Sequence, residues 1–154
     1  MNKKILKVLV IGDTHDSPHI PDKSRFGWFA KHIRKTKPDY VVQIGDFATF
    51  DSCTHYIRDD SYTAKIDKPI FMKDIESLDS AMEEFQYQLK DFKIKKYLTL
   101  GNHERRMWRK EDSNPSFYGM CQKEFFGTCK KYDWEVIPYG KYLMLGGVGF
   151  IHAP

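Results

Sequence analysis

Tyr97-Leu98-Thr99-Leu100-Gly101-Asn102-His103-Glu104-Arg105-Arg106 is the stretch on which the reading of the whole chain turns. An apolar run with the pattern of a buried strand stops at a glycine and is followed at once by an amide, an imidazole and a carboxylate. The same grammar occurs twice earlier. Val8-Leu9-Val10-Ile11-Gly12 leads into Asp13-Thr14-His15, and Val41-Val42-Gln43-Ile44-Gly45 leads into Asp46. Glycine lets the backbone turn sharply, and the residues after it project from the strand's carboxyl end, where open α/β sheets bind their ligands. Oxygen and imidazole donors converging on one rim have the makings of a metal site.

Working outward, Phe26, Phe29, Ala30 and Ile33 recur at helical spacing and predict a helix over about 23–36, closed by Pro38. Strand, helix, strand implies parallel pairing with a crossover helix. Ile75, Leu78, Met82, Phe85, Leu89 and Phe92 make one helical stripe over 74–92. Between them, 47–72 shows no sustained period and reads as a long excursion with at most a short helical turn. A helix should start at Glu104 beside the site, and a second should run over 117–129. Trp134-Glu135-Val136-Ile137 reads as a strand whose hairpin partner is Tyr142-Leu143-Met144-Leu145, with Val148-Gly149-Phe150-Ile151 leading to His152.

At 154 residues the chain predicts a single domain, 1–154, large enough for its own core. The formal charge of +4 is compatible with an anionic substrate and too small to argue for one, so nucleic-acid binding without chemistry rests on little. Cys53, Cys121 and Cys129 are odd in number and lack zinc-ribbon spacing, which suggests buried, reduced thiols and a cytoplasmic location. Ile5 to Ile11 is interrupted by Lys7 and runs straight into Gly12-Asp13; it reads as a first strand, with no signal peptide or membrane span.

Singly, each polar turn could be an ordinary loop or helix cap. Three strand-glycine-donor units in series argue for one shared site. Asp13-x-His15, Gly45-Asp46, Gly101-Asn102-His103-Glu104 and the later His152 resemble the successive signatures of the calcineurin-like metallophosphoesterases, over about 7–152. The segment between Asp46 and Gly101 looks most like members from phages and bacteria, which would put the protein in a host cytoplasm if phage-encoded.

The resemblance implies an α/β fold, a β-sandwich flanked by helices, and two divalent metal ions. By position, Asp13 and His15 would hold one metal, Asp46 would bridge both, and Asn102 and His152 would hold the second. His103 would stay off the metals, face the substrate and stabilise or protonate the leaving oxygen. Mixed carboxylate, amide and imidazole ligands suit Mn, Fe, Ni or Zn, with Mn favoured. Two such ions roughly 3.5–4 Å apart clamp a phosphoryl group and activate a bridging hydroxide. Arg105 or Arg106 would supply charge beside the phosphate, with Arg105 the candidate carried forward. The implied activity is phosphate-ester hydrolysis, with phosphodiesters, nucleotides or nucleic acid as the expected substrates.

Two departures from the family pattern shape the expectations. A closing Gly-His-x-His is absent before Pro154, and Thr49 stands where many members carry an acid that orients the catalytic histidine, Asp51 being the candidate substitute. The first departure predicts a sandwich incomplete at the C-terminus, with 134–151 starting its second sheet. It also predicts completion by a complementary C-terminal chain or a homo-oligomer. The rival reading is a catalytically incomplete fragment that binds metal or a partner without turnover.

Overall fold

Four parallel strands, β1 (Val8–Ile11), β2 (Tyr40–Gln43), β3 (Lys95–Thr99) and β4 (Trp134–Ile137), lie side by side in chain order in the computed structural model, which describes residues 5–54 and 70–152. The crossovers carry α1 (Ser24–Thr36), α2 (Phe71–Leu89), and the pair α3 (Arg105–Ser113) and α4 (Met120–Lys131). Strand order 1-2-3-4 never reverses. Parallel crossovers are right-handed almost without exception, so an unreversed order places every crossover helix on one face of the sheet.

The register shows the consequence. Leu9, Val41, Lys96 and Trp134 are cross-strand neighbours, as are Ile11, Gln43, Leu98 and Val136. The apolar members of these rows join Phe26, Ala30, Ile33, Leu78, Met82, Phe85 and Phe125 in the main core under the helices. The alternate residues Val8, Tyr40, Val42, Tyr97 and Ile137 point to the opposite face. There they meet Leu143, Leu145 and Phe150 of a two-stranded antiparallel hairpin, β5 (Leu143–Leu145) with β6 (Val148–Phe150). Two sheets thus pack face to face, with helices outside the larger one. The expected α/β sandwich is present, and its second layer is small among the described residues.

One pairing differs from the sequence reading. Trp134–Ile137 joins the parallel sheet beside β3 instead of forming a hairpin with 142–145, and the second sheet starts only at Leu143. Its neighbours decide this: Trp134 is buried against Phe47 and Phe85, with ring centroids 6.1 and 5.3 Å away. That burial is available only from a place in the first sheet. Gly146-Gly147, both at positive φ, forms the turn of the actual hairpin.

Helix boundaries fall within a few residues of the sequence pattern. α1 ends with Lys37 in the left-handed conformation, its N–H bonded to the Ile33 carbonyl at 2.8 Å. α2 begins at Phe71 and ends at Leu89, leaving Phe92 as a partly buried residue packed on the core. Of the excursion over 47–72, residues 47–54 and 70–72 are described and include a 3-10 turn, Asp51–Cys53. The rest of it lies outside the described residues, and of the run Ile5 to Ile11 the strand takes up Val8–Ile11. All three cysteines are free and buried.

Candidate metal centre

The strand-end turns meet because short polar staples hold them together. The Gln43 side chain donates to the Gly12 and Gly45 carbonyls at 3.2 and 2.9 Å and accepts from Gly45 N–H at 2.8 Å, tying the first turn to the second. Thr14 and His15 both donate their backbone N–H to the Asp46 carbonyl, at 3.1 and 3.0 Å. His15 and Asp46 are themselves in the left-handed region, at φ 45° and 51°. Backbone strain of this kind persists only where surrounding contacts enforce it, and it concentrates at functional sites.

Glycine is required twice for space. A Cβ on Gly101 would press on the Asp46 carboxylate and lie 2.5 Å from Asp46 N. A Cβ on Gly45, whose φ is +99°, would lie 2.6–2.7 Å from the His152 ring. The second and third turns can therefore approach each other, and the His152 loop, only without side chains there.

Glu104 fixes the floor of the site. It is 0% exposed, and its carboxylate accepts backbone N–H groups from Gly101 at 2.8 Å, Asp46 at 3.0 Å and Ala48 at 3.3 Å. Burial pushes its pKa up to about 7, against the pull of those amides. In the sequence Glu104 reads as a helix start. The only available signal was its place three residues after Gly101, which does not distinguish a cap from a brace between two turns.

All the expected donors converge. Asp46 Oδ1 is held by the His103 backbone N–H at 2.9 Å, which leaves Oδ2 facing the cluster. Around Oδ2 lie His152 Nε2 at 3.5 Å, His103 Nε2 at 3.9 Å and His15 Nε2 at 4.0 Å. Asp13 Oδ2 is 3.7 Å from His15 Nε2, and Asp13 Oδ1 is 3.7 Å from His152 Nδ1. Among the described residues, two groups have metal-ligating reach, His15-Asp46-His103 and Asp13-Asp46-His152, and Asp46 belongs to both.

The donor chemistry fits cations. His152 Nδ1 lies 2.9 Å from the Ile44 carbonyl, which can only accept, so that nitrogen carries the proton. Nε2 then holds a lone pair, and it faces Asn102 Oδ1 at 3.1 Å and Asp46 Oδ2 at 3.5 Å. Three acceptors pointing at one another are reconciled by a cation or an added proton.

His103 belongs to this neighbourhood but is otherwise engaged. Its Nδ1 lies 3.0 Å from the Thr49 carbonyl and its Nε2 lies 3.2 Å from Arg106 Nη2. A carbonyl only accepts and a guanidinium only donates, so the ring is neutral with its proton on Nδ1. Burial chiefly, and then the Arg106 charge, lower its pKa, while Asp46 opposes them. The imidazole is also edge-on to His15, with centroids 4.6 Å apart.

Two residues sit elsewhere than expected. Arg105 lays its guanidinium over the Tyr139 ring, 4.8 Å from the centroid. Of the pair, Arg106 is the one that touches the cluster, through His103 Nε2. Asp51 does not orient His103 directly: the Thr49 carbonyl does so, and Asp51 holds Thr49 Oγ1 at 3.1 Å and Arg106 Nη1 at 3.3 Å. Beside the site, Asp16 is 1% exposed and receives Lys23, Arg25 and Ser77, anchoring the Asp13–His15 loop to α1 and α2.

Among the described residues, no helix is long and apolar enough to cross a membrane. No curated protein and no solved structure matches the chain. The family model for calcineurin-like phosphoesterases matches residues 6–152, and that family comprises metal-dependent phosphoester hydrolases that generally bind two divalent ions. With the match spanning all three strand-end turns and His152, the chain belongs to the calcineurin-like phosphoesterase family.

Proposed function

We propose that this protein hydrolyses phosphate esters with two divalent cations, Mn favoured, held by Asp13, His15, Asp46, Asn102 and His152. The observation that carries the reading is the meeting of acceptors around Asp46 Oδ2, from turns far apart in sequence. When bound, the cations polarise the phosphoryl oxygens and make water acidic enough to attack at neutral pH. The protein's own residues do the rest. Glu104 and Gln43 fix the turns, the His103 N–H orients the Asp46 carboxylate, and the Thr49 carbonyl fixes the His103 ring.

His103 is the proposed proton donor to the departing oxygen. Because its Nδ1–H is committed to Thr49, the form able to donate from Nε2 is the imidazolium. Burial and Arg106 make that form surrender its proton readily. The diester preference and the host-cell cytoplasm implied by the resemblance have no residue of this site behind them; the ester chemistry has.

Purified protein supplied with Mn should hydrolyse p-nitrophenyl phosphate or bis(p-nitrophenyl) phosphate. Asp46→Asn and His103→Ala should each lower the rate by about a hundred-fold or more. A metal-loaded wild type that turns over neither ester removes the proposal, and undiminished activity in both variants removes the assigned roles.

A further inference from the structure

Arg106 stands one helical turn after His103, in the first turn of α3, with only 18% of its side chain exposed. Nη1 donates to the Thr49 carbonyl at 2.7 Å and to Asp51 Oδ1 at 3.3 Å. Thr49 Oγ1 in turn donates to Asp51 Oδ2 at 3.1 Å. Thr49 and Asp51 therefore grip one end of the fork from behind. The other end, Nη2, rests on His103 Nε2 at 3.2 Å, and that nitrogen is 3.9 Å from Asp46 Oδ2. A positive group held this firmly at the edge of the donor cluster, with a neutral nitrogen as the acceptor at its inner end, is placed to exchange that acceptor for a charged one. A phosphoryl oxygen makes a shorter and stronger hydrogen bond to a guanidinium than an imidazole nitrogen does.

A phosphodiester has two unsubstituted oxygens and one negative charge. A terminal phosphate has three and up to two. The donor cluster gathers cations, and the Arg106 fork is a separate partner for an oxygen and a charge that only the terminal phosphate possesses. We propose that Arg106 is the specificity-determining residue of this site and that it selects phosphomonoesters over phosphodiesters, with Thr49 and Asp51 as its positioning residues. This rests on the phosphoesterase reading and overrides the diester preference expected from the resemblance.

The test measures binding as well as turnover. In Mn-loaded protein, calorimetric titration would compare inorganic phosphate, phenyl phosphate and diphenyl phosphate for wild type, Arg106→Ala and Arg106→Lys. The wild type should bind phosphate and phenyl phosphate more tightly than diphenyl phosphate. Arg106→Ala should weaken the first two on the order of ten-fold to a hundred-fold and the diester by less than about three-fold. Arg106→Lys should recover part of the loss, because it restores charge without the fork. Bound metal per chain, measured on each variant, separates a lost phosphate contact from a collapsed site. Should Arg106→Ala fail to fold, Arg106→Lys and Asp51→Asn carry the same comparison.

Equal weakening of monoester and diester, or no weakening of either, overturns the proposal. So does a wild type that prefers the diester. A wild type that binds phosphate through Arg106 yet hydrolyses neither ester instead sinks the hydrolytic reading and leaves the recognition intact. Vigorous diester hydrolysis that survives Arg106→Ala does the reverse.

Discussion

At the scale of single residues, His103 is governed by two neighbours that can be tested separately. Its lowered pKa has burial as the larger cause and Arg106 as the second. In metal-free protein the imidazole should therefore titrate below its ordinary value near 6.5, staying neutral to lower pH than a free histidine. Arg106→Ala should move the midpoint upward, read from the His103 ring resonances in a pH series; a midpoint that stays put would show that the guanidinium charge does not reach the ring. Gly101 offers a second test. Its substitution by alanine places a methyl group against the Asp46 carboxylate and backbone. Gly101→Ala should cost about 1–3 kcal/mol by crowding, measured by urea unfolding, and should lower metal binding with it. The sequence marks Gly101 as a turn residue, whereas the structure shows that its lack of a side chain makes room for the Asp46 carboxylate.

At the scale of elements, Glu104 joins the start of α3 to the end of β2 by accepting three backbone N–H groups. Its pKa, raised by burial to about 7, lies above that of the same group in the unfolded chain. The native state then binds more protons than the unfolded state between about pH 4.5 and 7. The stability this group contributes is fully present below that window and is lost as pH rises through about 7. Unfolding midpoints of metal-free wild type and Glu104→Gln, followed over pH 5–8, should show a falling wild-type advantage as pH increases. A constant difference would mean that the three amides hold the carboxylate's pKa near its ordinary value. Helix phase acts at this scale too. One residue separates Arg105 from Arg106, but on a helix that is a rotation of about 100°, enough to send one side chain to Tyr139 and the other to His103.

At the scale of the whole molecule, the centre joins the Asp13–His15 loop, the Asp46 turn, the Asn102–His103 turn and His152, which follow four different strands. Cations bound there bind the folded state and not the unfolded chain. Adding Mn at about a hundred times its dissociation constant should stabilise the protein by about 2.7 kcal/mol, and chelation should reverse this. Differential scanning fluorimetry should show a rise in Tm of several degrees, absent in Asp46→Asn. An unchanged Tm would count against a site built across these turns.

Much of this was legible in the chain alone, because strand patterns, glycine stops and the polar residues that follow them are local features. The three strand-glycine-donor units announced a parallel sheet and its ligand-bearing rim, and the amphipathic stripes of α1 and α2 announced the helices over it. The sequence determined which residue types meet and at which end of the strands. Tertiary structure alone decided what depends on partners distant in the chain. It placed Trp134–Ile137 beside β3, because burial of the indole against Phe47 and Phe85 outweighs a hairpin with its sequence neighbour. It also turned Arg106 onto His103 and Arg105 onto Tyr139, made Glu104 a brace, and gave the orientation of His103 to the Thr49 carbonyl. Each of these turns on rotation about a helix axis or on a backbone group, and neither has a signature in the order of side chains.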